Sequence, residues 1–225
     1  MTPENRLRQS PVQLPGRVLR TRVRDHWPVV YAYADEGDGP WLVDLSHCHR
    51  IDLQGKPLGA MIPGSLPEPE APGDVRIQDM TMITRMGTAQ GCLWYFGQAP
   101  VNPIGFNGTE ITEATLALAI LGRHTFAIAE KLSSLDLQSP GGSLPRLYQG
   151  PFARVPCQIV VRDAVPGREM LLLSCSRGYG QDMVDAITHA GAEFNLRPAG
   201  EDRFMGMWET VMEKIYRVVV ERAGM

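Results

Sequence analysis

The sequence predicts an α+β fold built as two mixed halves in one unit. Three observations carry this. Short β-prone runs punctuated by glycine and proline fill the first half. In the second half, strand-like and helix-like spacings follow one another as strand, helix, strand, strand, helix, strand, and the chain closes on an amphipathic helical stretch. With 225 residues, 44% hydrophobic and 21% charged, the chain has the apolar material for a sizeable core and lies outside the disordered class.

Residues 1–26 read as a basic N-terminal arm, with Arg6, Arg8, Arg17, Arg20, Arg22 and Arg24 against Glu4 and Asp25. Arg20, Arg22 and Arg24 alternate, so a strand would show all three on one face. That suits an edge strand guarded against further pairing, or a surface meeting another subunit or an acidic ligand. Val29 to Ala34 and Trp41 to Leu45 are β-rich, and the turn signal Asp35-Glu36-Gly37-Asp38-Gly39 between them predicts a hairpin. Arg50 to Gly55 alternates and stops at glycine, a short helix is expected over Gly55 to Ile62, and Pro63, Pro67, Pro69 and Pro72 mark a loop. Strands follow around Met80 to Arg85 and Cys92 to Phe96, where Leu93-Trp94-Tyr95-Phe96 is too short for a helix.

Thr115 to Leu121 reads as a strand ending at Gly122, and Phe126 to Leu135 as a helix. Cys157 to Val161 and Met170 to Cys175 are strands, Met183 to Ala190 a helix, and Glu193 to Arg197 a short strand. This is the ferredoxin-like βαββαβ order, which predicts one antiparallel sheet over 115–198 with helices near 123–134 and 181–192. Within 204–225, Trp208, Val211, Met212, Ile215 and Val219 share one helical face while Glu209, Glu213 and Glu221 lie elsewhere. That face is expected to cover the protein body or to meet a partner, with Met205, Met207 and Met212 as adaptable contacts.

Lys plus Arg number 22 against 25 Asp plus Glu, a net charge of −3, so there is no basic field for a nucleic acid. The most apolar run, Leu116 to Leu121, falls far short of the roughly 20 residues that cross a bilayer, and the polar residues Thr2 to Arg6 do not form a signal peptide. Cys48, Cys92, Cys157 and Cys175 form no CxxC pair and read as buried thiols of a reducing compartment. A cytoplasmic protein with neither nucleic-acid nor membrane partners is expected. Phosphate-loop, nucleophile-elbow and HExxH signatures are missing, and Gly37-Asp38-Gly39-Pro40 cannot open a dinucleotide-binding helix.

Two clusters hold the chemistry. Asp44-Leu45-Ser46-His47 offers a nucleophile and a base, yet neighbours on a strand face opposite ways, so a turn closed by Asp44 and Ser46 is the competing reading. His47 and His49, two apart, would share a strand face suited to a metal. No other cluster has ligand spacing, so the histidines read as structural and no metal is expected. The second cluster, Ser174 to Asp182, joins a strand to a helix. Gly178 and Gly180 permit a sharp turn there, and Arg177 and Tyr179 could line a small-ligand cleft or merely complete an ordinary connection.

Both clusters carry a resemblance. Trp41 to Gly55, in which Asp44-Leu45-Ser46-His47 leads into a strand ending in glycine, resembles the early signature of the folate-binding aminomethyltransferase family. That family includes the glycine-cleavage T-protein and the folate domains of sarcosine and dimethylglycine oxidases. Ile111 to Leu132 looks like its central strand, glycine and helix, Ser176 to Asp182 like its arginine-glycine-tyrosine loop, and Ala190 to Gly200 like the end of the following helix. The resemblance implies an aminomethyltransferase folate-binding-domain-like fold over 27–203 and tetrahydrofolate as cofactor. Around it would stand Asp44, Ser46, His47, Arg177, Tyr179 and Gln181. Asp44, Ser46 and Arg177 would border one pocket with Tyr179 on its wall, and Arg177 or the arm would meet the anionic folate tail.

Departures from the family pattern matter too. Gln181 stands where a glutamate holds the pterin ring, and an amide is not an anionic acceptor. Gly87 to Cys92 contains no carboxylate where a catalytic aspartate is expected, and the C-terminal β-barrel of the full enzymes has no counterpart. Short chains of this kind are similar to the gamma subunit of heterotetrameric sarcosine oxidase. The resemblance therefore implies an accessory subunit, or a small stand-alone member, of a tetrahydrofolate-linked one-carbon transfer or amine-demethylation system. Its partner would be a larger flavin oxidase or aminomethyltransferase subunit, or a second copy of itself. An active tetrahydrofolate-dependent aminomethyl- or methyltransferase, and a binding module sharing only the fold, are the alternatives.

Overall fold

A computed structural model describes residues 6–55, 57–63, 66–98, 108–138 and 143–209. The elements of the first half are β1 (Val18–Arg24), β2 (Trp27–Tyr33), β3 (Trp41–Asp44), β4 (His49–Gln54), a 3-10 turn (Leu58–Ala60), β5 (Val75–Gln78), β6 (Thr81–Gly87), β7 (Gln90–Tyr95) and β8 (Gly108–Glu110). The second half supplies β9 (Thr115–Leu121), α1 (Thr125–Glu130), β10 (Arg146–Phe152), β11 (Val155–Asp163), β12 (Met170–Ser176), α2 (Gly180–Gly191) and β13 (Arg197–Ala199). A last helix, α3, begins at 201 and runs to 209, the end of the described residues.

Period-two alternation explains the layers. On β9, Leu116, Leu118 and Ile120 face one core with Phe126 and Ile128 of α1 and Met183, Val184 and Ile187 of α2. Ala117, Ala119 and Leu121 face the other way, into a second core with Val43, Met82, Trp94 and Phe96. The helices thus cover one face of a six-stranded sheet, ordered β10-β11-β12-β9-β3-β13, and a five-stranded sheet, ordered β5-β6-β7-β4-β8, covers the other. Each large apolar side chain buried this way contributes on the order of 1.5–3 kcal/mol. β1 and β2 form a separate two-stranded ribbon.

The pairing differs from expectation in two places. Val29 to Ala34 and Trp41 to Leu45 do not form a hairpin. β2 pairs with β1, while β3, buried along Trp41-Leu42-Val43, lies between β9 and β13. Residues 115–198 do not close a ferredoxin-like sheet by themselves either. β3 inserts between β9 and β13 and pairs in parallel with β13, so the sheet is mixed and borrows a strand from the first half. The helices expected near 123–134 and 181–192 are present as the shorter α1 and as α2. In place of the helix from Gly55 to Ile62 there is the 3-10 turn at Leu58–Ala60. On α3, Trp208 is fully buried against Phe96 and Phe204, at ring-centroid distances of 4.4 and 5.5 Å. Val211, Met212, Ile215 and Val219 of the expected stripe lie outside the described residues.

The two sheets are joined at Arg50, whose side chain has no exposed surface. Its guanidinium donates to five carbonyl oxygens: Leu45 (3.3 Å), Cys48 (2.9 Å), Ser46 (3.4 Å), Thr112 (2.9 Å) and Thr115 (2.9 Å). Nε donates to the Thr115 hydroxyl at 3.1 Å, and the plane stacks 5.4 Å from the Trp94 ring. Replacing Arg50 by Met takes this donor from all five carbonyls, of which that of Leu45 keeps the Cys48 N–H, and a buried carbonyl left unpaired costs roughly 1–3 kcal/mol. We expect Arg50→Met to lose at least about 3 kcal/mol of stability in urea unfolding. Arg50→Lys should not rescue it, because one ammonium cannot serve both turns. A midpoint equal to wild type would refute this role.

Candidate functional site

The residues at the end of β3 show how the first cluster is built. Asp44 Oδ1 accepts the Ser46 N–H at 2.9 Å, and the Cys48 N–H closes the turn on the Leu45 carbonyl at 2.9 Å. Ser46 is fully buried, and its hydroxyl exchanges hydrogen bonds with the backbone of Ala117 at 3.3 and 3.4 Å. It therefore ties the turn to β9 and faces away from any cleft. Asp44 Oδ2 points the other way and accepts the Ser10 hydroxyl at 2.5 Å.

A cavity of about 570 Å³ opens beside Asp44 and His47. Trp27, Val29 and Tyr33, on one face of β2, form its aromatic and aliphatic wall, and arm residues Ser10 to Leu14 form its roof. Burial pushes the Tyr33 phenol up to about 12, helped by the nearby carboxylates of Asp44 and Glu36. It stays a neutral donor at physiological pH.

His47 stands at the cavity floor with its Nε2 at 2.8 Å from Glu201 Oε1, the first residue of α3. Arg24 grips the same carboxylate with both terminal nitrogens, at 2.5 and 2.9 Å. Burial disfavours charge on His47, but Cys48 and the Glu201 carboxylate outweigh it and hold the imidazole up to about 10. Burial likewise opposes charge on Glu201, and His47 and Arg24 overcome it, holding the acid below its usual range. The result is a cation, anion, cation triad, buried at His47 and Glu201 and half-buried at Arg24. His47, Cys48 and Glu201 place their donor atoms within 4.8 Å of one another. Both Glu201 oxygens are already engaged by cations, so the donor set is committed to the ion pair. His49 takes its own carboxylate, Glu110, at 3.3 Å, so the two histidines do not act together.

The second cluster meets the first through the N-terminal arm. Arg177 Nη2 donates to the Gln9 carbonyl at 2.5 Å. Gln181 accepts the Gln13 N–H at 3.0 Å and donates to the Gln13 carbonyl at 3.4 Å, with a further bond to Asp185 at 2.9 Å. Between these points the chain presses on α2. A Cβ added to Gly180 would stand 2.6 Å from the Pro11 carbonyl oxygen, a contact that only glycine allows. Residues 9–13 thus form a strap joined to Asp44, Arg177 and Gln181. Asp44 and His47 line the cavity on one side of it, whereas Arg177, Tyr179 and Gln181 do not. Tyr179 is 47% exposed, and Gln181 borders a shallow depression with Leu14 and Asp185.

Sequence reasoning did not single out Ser10, Trp27, Tyr33 or Glu201. The alternation of Trp27, Val29 and Tyr33 on one face was a usable signal for the wall. Nothing in the spacing pointed from Glu201 to Arg24 and His47.

No protein-family model matches the sequence, and no curated protein resembles it closely enough to count as a relative. Solved structures do resemble it. A chain of the heterotetrameric sarcosine oxidase from Corynebacterium sp. U-96, solved in complex with pyrrole 2-carboxylate, aligns with a TM-score of 0.54 and 15% identity. The alignment covers 68% of this chain and 84% of that one. The glycine cleavage system aminomethyltransferase T from Bartonella henselae aligns with a TM-score of 0.52 and 15% identity, over 83% of this chain and 57% of that one. The chain therefore has the mixed α+β fold shared by these proteins. Among the described residues no helix is long and apolar enough to cross a membrane.

The triad sets a pH dependence. His47 is held at about 10 against its ordinary value of 6.5, so its contribution is complete below about pH 6.5 and is lost as pH rises through about 10. Glu201, held down, contributes above its ordinary value and loses that contribution in acid. Urea midpoints should therefore fall between about pH 6.5 and 10 in the wild type, and His47→Gln should flatten that limb. Glu201→Gln leaves the Arg24 guanidinium without its carboxylate and removes the acceptor that holds the His47 proton, and should cost about 3–5 kcal/mol at neutral pH. An unchanged alkaline limb in His47→Gln would sink the assignment.

Proposed function

We propose that this chain is an accessory, folate-fold subunit of a one-carbon transfer or amine-demethylation system, working in the cytoplasm beside a larger flavin oxidase or aminomethyltransferase chain. The observation that carries this reading is the strap. Residues 9–13 already engage Asp44, Nη2 of Arg177 and Gln181, so a pterin would compete with the chain's own backbone and Ser10 for those groups. Two features support the same reading. Gln181 brings an amide where an anionic acceptor would grip pterin N–H groups, and the β6–β7 turn, Gly87-Thr88-Ala89-Gln90, brings no carboxylate. The likeness to a chain of a heterotetrameric enzyme is in keeping with a subunit role. In this reading 1–26 serve as the arm, 27–203 as the folate-fold body, and 204–225 as the element nearest the partner.

One observation favours an active tetrahydrofolate-dependent transferase instead. The cavity beside Trp27, Tyr33, Asp44 and His47 has the size of a small-molecule site. There a heterocycle would stack on the aromatic wall and offer N–H groups to Asp44, with Ser46 holding the turn. Arg177, Tyr179 and Gln181 would join only after the strap moved.

Titration calorimetry with tetrahydrofolate separates the two. The accessory reading expects no saturable heat from the full chain, and protein purified from its native cells should co-elute with flavin absorbance. Saturable binding that Asp44→Asn weakens at least about tenfold, a loss of about 1.4 kcal/mol, would replace the accessory reading with the transferase.

A further inference from the structure

β11 and β12 run antiparallel with Gln158 opposite Ser174. Continuing that register by one residue sets Cys157 against Cys175, both still inside their strands. Alternation sends both side chains into the core on the helix side. Residues directly opposed in an antiparallel pair have Cα atoms roughly 4.5–5.5 Å apart, within the roughly 4.4–6.8 Å that a disulfide spans. Both cysteines are free thiols.

We propose that Cys157 and Cys175 form a reversible thiol–disulfide site, closed by a low-molecular-weight disulfide of the glutathione type. Each sulfur meets a carbonyl of its own strand, Cys157 Sγ that of Val155 at 3.2 Å and Cys175 Sγ that of Ser176 at 3.6 Å. The interaction of the two thiols holds Cys175 below its usual range and, together with burial, pushes Cys157 up. That direction favours Cys175 as the attacking sulfur. Its thiolate displaces one thiol from the small disulfide and forms a mixed disulfide. Cys157, losing its proton to solvent, then attacks the Cys175 sulfur and releases the second thiol. The protein gives up two electrons and two protons, and one small disulfide becomes two thiols.

The other cysteines are placed differently. Cys92 lies opposite Asp52 on one neighbouring strand and Thr84 on the other, and Cys48 sits against His47 at 3.6 Å. Cys157 and Cys175 keep 6% and 5% of their surface exposed. The bond would fasten the end of β12 to β11 immediately before Arg177, at the base of the turn that holds the strap. This inference does not depend on which ligand the groove accepts.

The test is equilibration of the full-length protein in glutathione buffers of increasing oxidation, followed by acid quenching, alkylation and intact mass measurement. Two of the four thiols should disappear with the loss of two hydrogens, reversibly on adding dithiothreitol. Cleavage after Arg154, Arg162, Arg168 and Arg177 puts the two cysteines on separate tryptic peptides, which should be recovered as one linked species. The Cys48→Ala/Cys92→Ala double variant should behave as wild type, and Cys157→Ala should stop at a glutathione adduct on Cys175. Should a variant fail to fold, the mapping on wild-type protein decides alone. Four alkylatable thiols in the most oxidising buffer, a linkage between other cysteines, or a bond that forms only in denaturant would overturn the proposal.

Discussion

A guanidinium without a carboxylate organises the centre of this protein. Arg50 is too deep to be hydrated, so its charge must be spread over dipoles, and five carbonyls do so. Those carbonyls belong to two connections, 45–48 and 112–115, at which the chain passes between the sheets. Neither connection can relax without leaving part of this buried charge, and the carbonyls that solvate it, unpaired. The orientation of Asp44, Ser46 and His47 follows, because all three sit within or beside the first connection. Residues around a cleft are thus aimed by an interaction that does not itself reach the cleft.

Acidic residues do the same work at the edge. Glu201 begins α3, where the free N–H groups favour a negative charge, and it draws Arg24 from the ribbon and His47 from the β3–β4 turn to one point. Glu36 acts similarly: one oxygen accepts the N–H groups of Tyr33 and Gly200, each at 3.0 Å, and the other meets Arg203 at 3.3 Å. The β1–β2 ribbon has no core of its own. These two carboxylates, the Arg20–Asp202 ion pair and the packing of Val30 and Tyr33 on the helix-side core together hold it over the cavity, and with it the aromatic wall of Trp27 and Tyr33.

Much of the fold was legible because alternation and glycine stops act locally. β4, β6, β7, β9, β11, β12 and α2 fall near the places that their patterns predict. β10 is hidden by Gly150 and Pro151, residue types depleted in strand interiors. An edge strand tolerates proline because one row of its N–H groups needs no ladder partner, and β10 is the edge of its sheet. The partners of β3 were not legible, since pairing with β9 and β13 depends on distant segments rather than on the turn signal after β2. At the site, the strand-end clusters were recognisable from their own residues. The strap was not, because its bonds run largely from the backbone of residues 9 and 13, which carries no side-chain signature.

The central position of β3 has a consequence for synthesis on the ribosome. Trp41, Leu42 and Val43 emerge with neither neighbour made: β9 begins about 70 residues later, and β13 closes only near residue 199. At roughly 5–20 residues per second, this apolar segment waits several seconds for its first partner and longer for its second. During that interval it is an unpaired, hydrophobic strand of the kind that recruits holding chaperones or associates with other nascent chains. The rate of translation between 44 and 115 sets how long that exposure lasts.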